Sequence, residues 1–120
     1  MEVRRKENVY SFEVTRGQIQ VSTVDRFYVD ENQTGYLHLI QFSSRTSKEM
    51  AHALKEMQSL GLQRLILDLR DNAGGLLSSA IEVAAFFLPD DQLVVELKGR
   101  DVTESRMFRT QSRNPQIKVP

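Results

Sequence analysis

The sequence predicts an α/β domain (α+β overall) with a β-α-β-α-β core that follows amino-terminal β ribbons. Three observations support this class. Residues 65–69 form an almost continuous apolar run, which is typical of a strand buried on both faces of a sheet. After Gly74 and Gly75, apolar residues recur at intervals of three and four, the spacing of one helix face. Residues 36–42 and 46–60 repeat the same order, a strand pattern and then a helix pattern.

The first third of the chain is predicted to be β. Residues 8–14 alternate apolar and polar side chains, and residues 18–29 are rich in β-forming types. Residues 30–35 combine short polar side chains with a glycine and predict a turn. These segments favour antiparallel ribbons that lead into the strand at residues 36–42.

The first predicted helix has a start signal, an apolar face and a stop signal. Thr46 and Glu49 have the spacing of a capping box, and Gly61 suits the left-handed residue that ends a helix. The predicted apolar face consists of Met50, Ala53, Leu54, Met57 and Leu60.

The second predicted helix follows the glycine pair and stops at Pro89, which cannot continue it. Residues 92–97 then predict the third strand of a parallel set with right-handed crossovers. Residues 102–109 predict a weak strand and residues 111–116 a loop. The predicted apolar face of the second helix consists of Leu77, Ala80, Ile81, Ala84, Ala85 and Leu88.

Composition excludes several classes of function. Lys plus Arg and Asp plus Glu number 16 each, which argues against nucleic-acid binding through a basic face. The chain has no cysteine, so it has no disulfide, thiolate nucleophile or cysteine metal site. No apolar run approaches the roughly 18–20 residues of a membrane span. Both ends lack the features of natural termini, so we expect a piece of a larger protein that is truncated before further elements.

Few side chains suggest chemistry. His38 and His52 share no metal-ligand spacing, so we predict no metal site and no cofactor. None of the serines lies in a Gly-x-Ser-x-Gly elbow. Ser43, Ser44 and Ser47 are better interpreted as residues at the start of the first helix, and Ser78 and Ser79 as residues of the first turn of the second. Neither these serines nor Ser59 has an evident base beside it.

The glycine turn is the candidate site. Around it, one carboxylate of Asp68 or Asp71 is expected to cap the second helix, with Arg70 paired to the other. An acid pair for proton transfer is the alternative. The turn matches neither a Walker loop nor Gly-x-Gly-x-x-Gly. Gly74 or Gly75, placed before a helix, can instead offer a backbone N–H to an oxyanion.

The chain resembles the carboxyl-terminal processing peptidases (tail-specific proteases) over residues 35–101. The resemblance lies in residues 35–42 (GYLHLIQF), 65–77 (LILDLRDNAGGLL), 84–89 (AAFFLP) and 98–101 (KGRD). The motif Asp-Leu-Arg-x-Asn-x-Gly-Gly is fairly specific, although the family commonly has proline where this chain has Ala73. Residues 12–29 resemble the family's stretch between its PDZ domain and its catalytic core.

The resemblance implies a ClpP/crotonase-like peptidase domain with a Ser-Lys mechanism. The family's nucleophile and base lie beyond the matching segments, so no serine or lysine of this chain takes those roles. Only the oxyanion contribution carries over, to Gly75 with Gly74 beside it. Asp68, Arg70 and Asn72 match the motif and would shape the turn.

The resemblance implies a parent protein that cleaves proteins near an apolar C-terminus in a bacterial cell envelope. Residues 1–34 would be an amino-terminal β segment, and residues 35–120 a partial catalytic domain that is inactive alone. Two alternatives remain open. One is a binding module of the same fold for a retinoid-like apolar ligand or a protein partner, and the other is a small α/β domain whose glycine turn binds a nucleotide or another anion. An unpaired strand edge predicts a homo-oligomer or a domain swap.

Overall fold

The computed structural model of the protein describes residues 2–15, 17, 21–99 and 105–111. Within these residues the strands form three sheets, ordered β1-β2, β3-β4-β5 and β6-β7. The predicted order of strands and helices is confirmed from β4 to β6. In chain order the elements are β1 (Glu2–Arg5), β2 (Asn8–Ser11), β3 (Val24–Val29), β4 (Thr34–Leu39), α1 (Thr46–Ser59), β5 (Arg64–Asp68), α2 (Leu77–Ala84), β6 (Leu93–Leu97) and β7 (Arg106–Arg109).

The sheet β3-β4-β5 carries the candidate site at its end. β4 pairs antiparallel with β3 and parallel with β5, where Leu37 lies opposite Leu67. α1 makes the crossover that two parallel strands require. The buried core joins one face of this sheet to both helices and consists of Val24, Leu37, Leu39, Met50, Ala53, Leu54, Met57, Val83 and Phe86.

α1 has the predicted apolar face but a different start. Its N-cap residue is Arg45, which makes no side-chain capping bond, so the predicted capping box is wrong. The Glu49 carboxylate instead accepts hydrogen bonds from the N–H of Thr23 at 2.6 Å and from its hydroxyl at 2.8 Å. The Glu49 carboxylate therefore makes a tertiary contact in place of the predicted cap, and this contact holds α1 against the segment before β3.

The end of α1 corrects one residue of the predicted face. Met50, Ala53, Leu54 and Met57 are buried, whereas Leu60 is 65% exposed. Leu60 is the C-cap residue and follows the last helical turn, so it no longer shares the direction of that face. Gly61 has a φ of +87°, as expected of the residue that ends the helix.

β5 is less buried than predicted. Leu65 and Leu67 pack against the core, but Ile66 is 54% exposed. In the part of the chain that the structure describes, β5 pairs only with β4 and is an edge strand. The expected burial on both faces is wrong for these residues because nothing among them covers the face of Ile66.

α2 packs through a face that differs from most of the predicted one, although Ala85 of the predicted face is buried as expected. Ser79 and Val83 of the helix are buried, as is Phe86 just beyond it, while Leu77 and Leu88 are 39% and 37% exposed. The helix also ends at Ala84, before the turn that leads to Pro89. The spacing of three and four was correct, but the side chains that fill the core lie on another side of the helix.

β6 is a strand, as predicted, but not the third strand of a parallel set. It pairs antiparallel with β7. The buried hydroxyl of Thr110 closes this hairpin by donating to the carbonyl of Pro89 at 2.6 Å and accepting from the N–H of Gln92 at 2.8 Å. Residues 112–116 of the predicted loop and residues 100–101 of the predicted turn lie outside the described residues.

The amino-terminal ribbon is antiparallel, as expected. β2 covers part of the predicted strand at residues 8–14, and its partner β1 was not predicted. All residues of both strands are exposed. The Cα radius of gyration is accordingly 20.0 Å, against about 14 Å for a compact chain of this length. No helix of the described residues has the length and apolar character needed to cross a membrane.

Candidate active site

The glycine turn connects β5 to α2 and lies against the segment that follows β4. Phe42 and Gly75 form an isolated parallel bridge. The N–H of Phe42 donates to the carbonyl of Gly74 at 2.7 Å, and the N–H of Leu76 donates to the carbonyl of Phe42 at 2.9 Å. The segment at Phe42, which is distant in sequence, therefore holds the turn through one bond on each side of Gly75.

Only glycine fits at position 75. Its φ is +140°, a conformation that residues with a side chain rarely adopt. A Cβ on Gly75 would also collide with the backbone carbonyl of Phe42. Gly74 differs, because its φ is +77° but a Cβ there would meet nothing within 4 Å. The close approach of two backbones thus explains the second glycine of the pair.

The two glycines also differ in their amides. The N–H of Gly74 donates to Oδ1 of Asn72 at 2.8 Å. The N–H of Gly75 has no acceptor among the residues that the structure describes. In a parallel bridge the bonds run from the flanking residues, so the amide of Gly75 itself points away from Phe42. One unpaired backbone donor therefore stands immediately before α2.

The start of α2 adds to the positive potential at this turn. Its N-cap residue is Leu76, and no side chain caps the helix. The predicted cap by Asp68 or Asp71 is therefore wrong. The first amides of a helix lack intrahelical acceptors, and the macrodipole is positive at that end. The turn can stabilise negative charge without a metal or a charged side chain.

Asp68 is paired with Arg70, which agrees with the predicted pairing of Arg70 with a carboxylate beside the turn. Its side chain is 6% exposed and receives Arg70 Nη2 at 2.6 Å and the hydroxyl of Tyr36 at 2.5 Å. Donation by the Arg70 side chain, and then by Tyr36, holds the pKa of Asp68 well below its usual range. The same carboxylate raises the pKa of Tyr36. Asp68 is thus a structural anion and lacks the properties of a proton-transfer acid.

His38 connects the turn to β3 through two groups that can only accept hydrogen bonds. Nε2 lies 3.1 Å from the carbonyl of Arg70, and Nδ1 lies 3.2 Å from the carboxylate of Asp25. Both contacts are made together only by the doubly protonated ring. The pKa of His38 is raised by the Arg70 carbonyl first and then by Asp25. Arg26, Tyr36, Asp68 and Asp71 line the same polar pocket of about 240 Å³.

We expect the stability contribution of His38 to disappear as the pH rises above the ordinary pKa of histidine. Because its folded-state pKa is raised, the contribution is complete below the ordinary value of about 6.5 and is lost as pH rises through the folded-state value. Melting temperatures of the unsubstituted chain and of His38→Gln should therefore differ more below the ordinary pKa than above the folded-state pKa, where they should converge. His52→Gln, on the exposed side of α1, is the control. A difference that grows with pH would contradict this assignment.

Most of the serine bonds that the structure describes go to the backbone, although the hydroxyl of Ser22 lies 3.1 Å from the Glu49 carboxylate as well as 2.8 Å from the carbonyl of Val24. Ser43 accepts from the N–H of Arg45 at 3.2 Å, which confirms its predicted role at the start of α1. The buried hydroxyl of Ser79 donates to the carbonyl of Ser43 at 2.8 Å and joins α2 to that segment. Among the described residues no group of three or more metal-ligating side chains comes together.

A cleft of about 540 Å³ begins beside the turn. It lies between the start of α1, the first turns of α2 and the end of β7. Ser44, two residues after Phe42, and Ser78, three residues after Gly75, belong to its wall. Ile81 and Phe108 add apolar surface, and Lys48, Arg109 and Glu82 add charges of both signs. The cleft thus offers a mixed apolar and charged surface.

Comparison with known proteins identifies the family. The sequence profile of Peptidase family S41 matches residues 33–120. The chain belongs to this family. It is 38% identical over 97 residues to a carboxyl-terminal-processing protease of Synechocystis, a match that covers 78% of this chain and 23% of the relative. It is 31% identical over 102 residues to the carboxy-terminal processing protease CtpB of Bacillus subtilis, covering 83% of this chain and 21% of the relative.

A solved structure supports the same S41 fold. The photosystem II D1 C-terminal processing protease superimposes with a TM-score of 0.66 at 23% identity, covering 94% of this chain and 32% of that protein. The resemblance predicted from the motif is thereby confirmed at the level of family and fold. The chain spans only about a fifth to a quarter of the length of these curated S41 relatives.

Sequence reasoning located the S41 turn but missed its internal bonds. The hydrogen bond from Gly74 to Asn72 was not predicted, although an Asn two residues before a Gly is a known signal for such a local turn. The contact of Tyr36 with Asp68 joins residues 32 positions apart and left no local signal.

Proposed function

We propose that this chain is part of the catalytic domain of a serine-type carboxyl-terminal processing endopeptidase, in which the N–H of Gly75 is an oxyanion donor. The observation that carries the proposal is the unpaired amide of Gly75, held before α2 at a position that admits no side chain. Membership of the S41 family supplies the reaction class. Gly74 contributes by completing the turn, since its own amide is bonded to Asn72.

The proposed chemistry is stabilisation of a tetrahedral intermediate. When a nucleophile attacks a peptide carbonyl, negative charge develops on its oxygen, and a preorganised N–H lowers the energy of that charge. Removal of one such donor typically slows catalysis about 10²- to 10³-fold. The start of α2 adds a favourable field at the same point.

The nucleophilic serine and the lysine base belong, in this proposal, to the parent protein beyond residue 120. The 120-residue chain alone is therefore inactive. Its partners are polypeptide C-termini, for which the cleft provides apolar surface at Ile81 and Phe108 and the cations Lys48 and Arg109, beside the carboxylate of Glu82. Neither nucleic acid nor a cofactor is part of the proposal.

We propose further that the parent acts in a bacterial cell envelope and that the chain divides into residues 1–34 and 35–120. We also propose that the isolated chain self-associates or swaps strands. Among the described residues β5 pairs on one side only, and this edge supports the last of these, because an unpaired edge invites pairing with a second copy.

Hydrolysis of an unfolded protein with an apolar C-terminus tests the proposed function. We expect the full-length parent to cleave it, and the 120-residue chain to leave it intact. Replacing the parent's nucleophilic serine by alanine is the matched control and should abolish cleavage. A parent that folds but does not cleave, or that lacks the serine and lysine, would contradict the proposal and favour a binding module of the same fold.

A further inference from the structure

The side chain of Asn72 joins the candidate oxyanion site to the end of β4. Its Nδ2 donates to the carbonyl of Leu39 at 2.7 Å, and its Oδ1 accepts the N–H of Gly74 at 2.8 Å. A carbonyl only accepts and an N–H only donates, so these partners fix the orientation of the amide. Asn72 is partly buried, and it satisfies two backbone groups from different elements at once.

The remaining amides of the turn are bonded to backbone carbonyls, which leaves Gly75 as the exception among residues 72–76. The side chain of Asn72 therefore pairs the first of the two glycine amides and leaves the second without an acceptor among the described residues. The backbone bonds run from Asn72 to Leu69 at 3.1 Å, from Ala73 to Ile40 at 3.0 Å and from Leu76 to Phe42 at 2.9 Å.

We propose that Asn72 is the positioning residue of the oxyanion site. It acts through Gly74 and Leu39, and it needs no contact with the substrate. By binding the N–H of Gly74 it fixes the peptide between Ala73 and Gly74, and the N–H of Phe42 fixes the next peptide by donating to the carbonyl of Gly74 at 2.7 Å. Gly75 then presents the one N–H of residues 72–76 that has no acceptor among the described residues. This inference rests on the proposed function and adds to it the residue that orients the donor.

Loss of this side chain would release both ends of the link. Glycine has few steric limits, so the peptide between Ala73 and Gly74 can rotate once the N–H of Gly74 is free. The bond from Phe42 to the Gly74 carbonyl then holds the next peptide alone, and the Cα of Gly74, from which that peptide starts, can shift. The N–H of Gly75 then points at the oxyanion for only part of the time. Transition-state stabilisation falls, whereas ground-state binding of substrate, which does not use this amide, is retained.

Steady-state kinetics of the full-length parent on a fluorogenic peptide test the inference. We expect Asn72→Ala to lower kcat roughly 10- to 100-fold with little change in KM. Asp71→Asn is the control. Asp71 is the exposed neighbour, and its φ of +59° suits asparagine equally well, so its kcat and KM should match those of the unsubstituted protein.

Asn72→Asp supplies a readout that a purely structural role would not move. It keeps an acceptor for Gly74 but places a second oxygen against the carbonyl of Leu39, where only a protonated carboxyl can donate. The ratio of its kcat to that of the unsubstituted protein should therefore rise as the pH falls. The same ratio for Asn72→Ala should stay constant with pH.

The outcomes separate this inference from the proposed function. If the unsubstituted parent hydrolyses the peptide but Asn72→Ala stays within twofold of its kcat, or the Asn72→Asp ratio is flat with pH, the positioning role is wrong and the proposed function stands. If Asn72→Ala fails to fold, the pH dependence of Asn72→Asp decides alone. If the folded unsubstituted parent is inactive, both are overturned.

Discussion

Replacing Gly75 by alanine is expected to cost roughly 3–5 kcal/mol of unfolding free energy, which is at the upper end for a single substitution. Two effects add together. The φ of +140° is strained for any residue with a Cβ, and the new methyl group would enter the backbone carbonyl of Phe42. Backbone cannot move aside as a flexible side chain can, because Phe42 is held by bonds to Gly74 and Leu76.

Gly74→Ala is the matched control for this substitution. Its φ of +77° is also unfavourable for alanine, but open space surrounds the position. We expect a cost of only about 1–2 kcal/mol, the usual penalty of a left-handed conformation. Urea unfolding of both variants, followed by circular dichroism, measures the difference. Equal costs at the two glycines would show that the contact between Phe42 and Gly75 does not constrain the turn.

Phe86→Ala is the second substitution with a large expected effect, about 3–5 kcal/mol of unfolding free energy. Phe86 is 1% exposed and packs in the core that joins α1, α2 and the sheet. Its removal leaves a cavity that the surrounding side chains can fill only partly. Because Phe86 anchors the end of α2, the loss should also loosen the helix that begins at the candidate site.

Leu88→Ala tests whether the observed face of α2 is the one that matters for stability. Leu88 belongs to the face predicted from the sequence, but it is 37% exposed. We expect its replacement to cost about 1 kcal/mol or less, as for a partly exposed apolar side chain. The denaturant midpoints of the two variants give the comparison. A larger loss of unfolding free energy for Leu88→Ala than for Phe86→Ala would contradict the observed packing and favour the face predicted from the sequence.

α2 illustrates why helix spacing alone could not choose a face. The segment from Leu77 to Phe87 is apolar on most sides, so several sets of positions three and four apart qualify. The core selects Val83 and Phe86, whose bulk fills the space beside α1. α1 was predictable because lysine, glutamate and glutamine occupy its other sides and leave one apolar face, at Met50, Ala53, Leu54 and Met57.

Local sequence patterns could not predict which strand pairs with β6, for a different reason. The pattern of residues 92–97 fixes a strand but not the direction of its neighbour, which depends on residues elsewhere in the chain. In the hairpin with β7, the hydroxyl of Thr110 bonds the carbonyl of Pro89 and the N–H of Gln92, which lie about 20 positions earlier in the sequence. A threonine in a polar segment gives no sign of such a contact.

The candidate site was predictable in position but not in detail. An apolar strand, a glycine pair and a helix pattern located the turn, since each has a strong local signal. The difference between Gly74 and Gly75 arises from the carbonyl of Phe42 and from the side chain of Asn72. Those contacts depend on the parallel pairing of β4 with β5, which brings the two segments together only in the folded chain.

The most direct test of the central claim is a crystal structure of the full-length parent with a peptidyl boronic acid bound to its nucleophile. A boronate oxygen occupies the place of the oxyanion. The account predicts that this oxygen lies about 2.7–3.1 Å from the backbone nitrogen of Gly75, with the amide of Gly74 still bonded to Asn72. A boronate oxygen held by other donors, with Gly75 beyond hydrogen-bond distance, would contradict it.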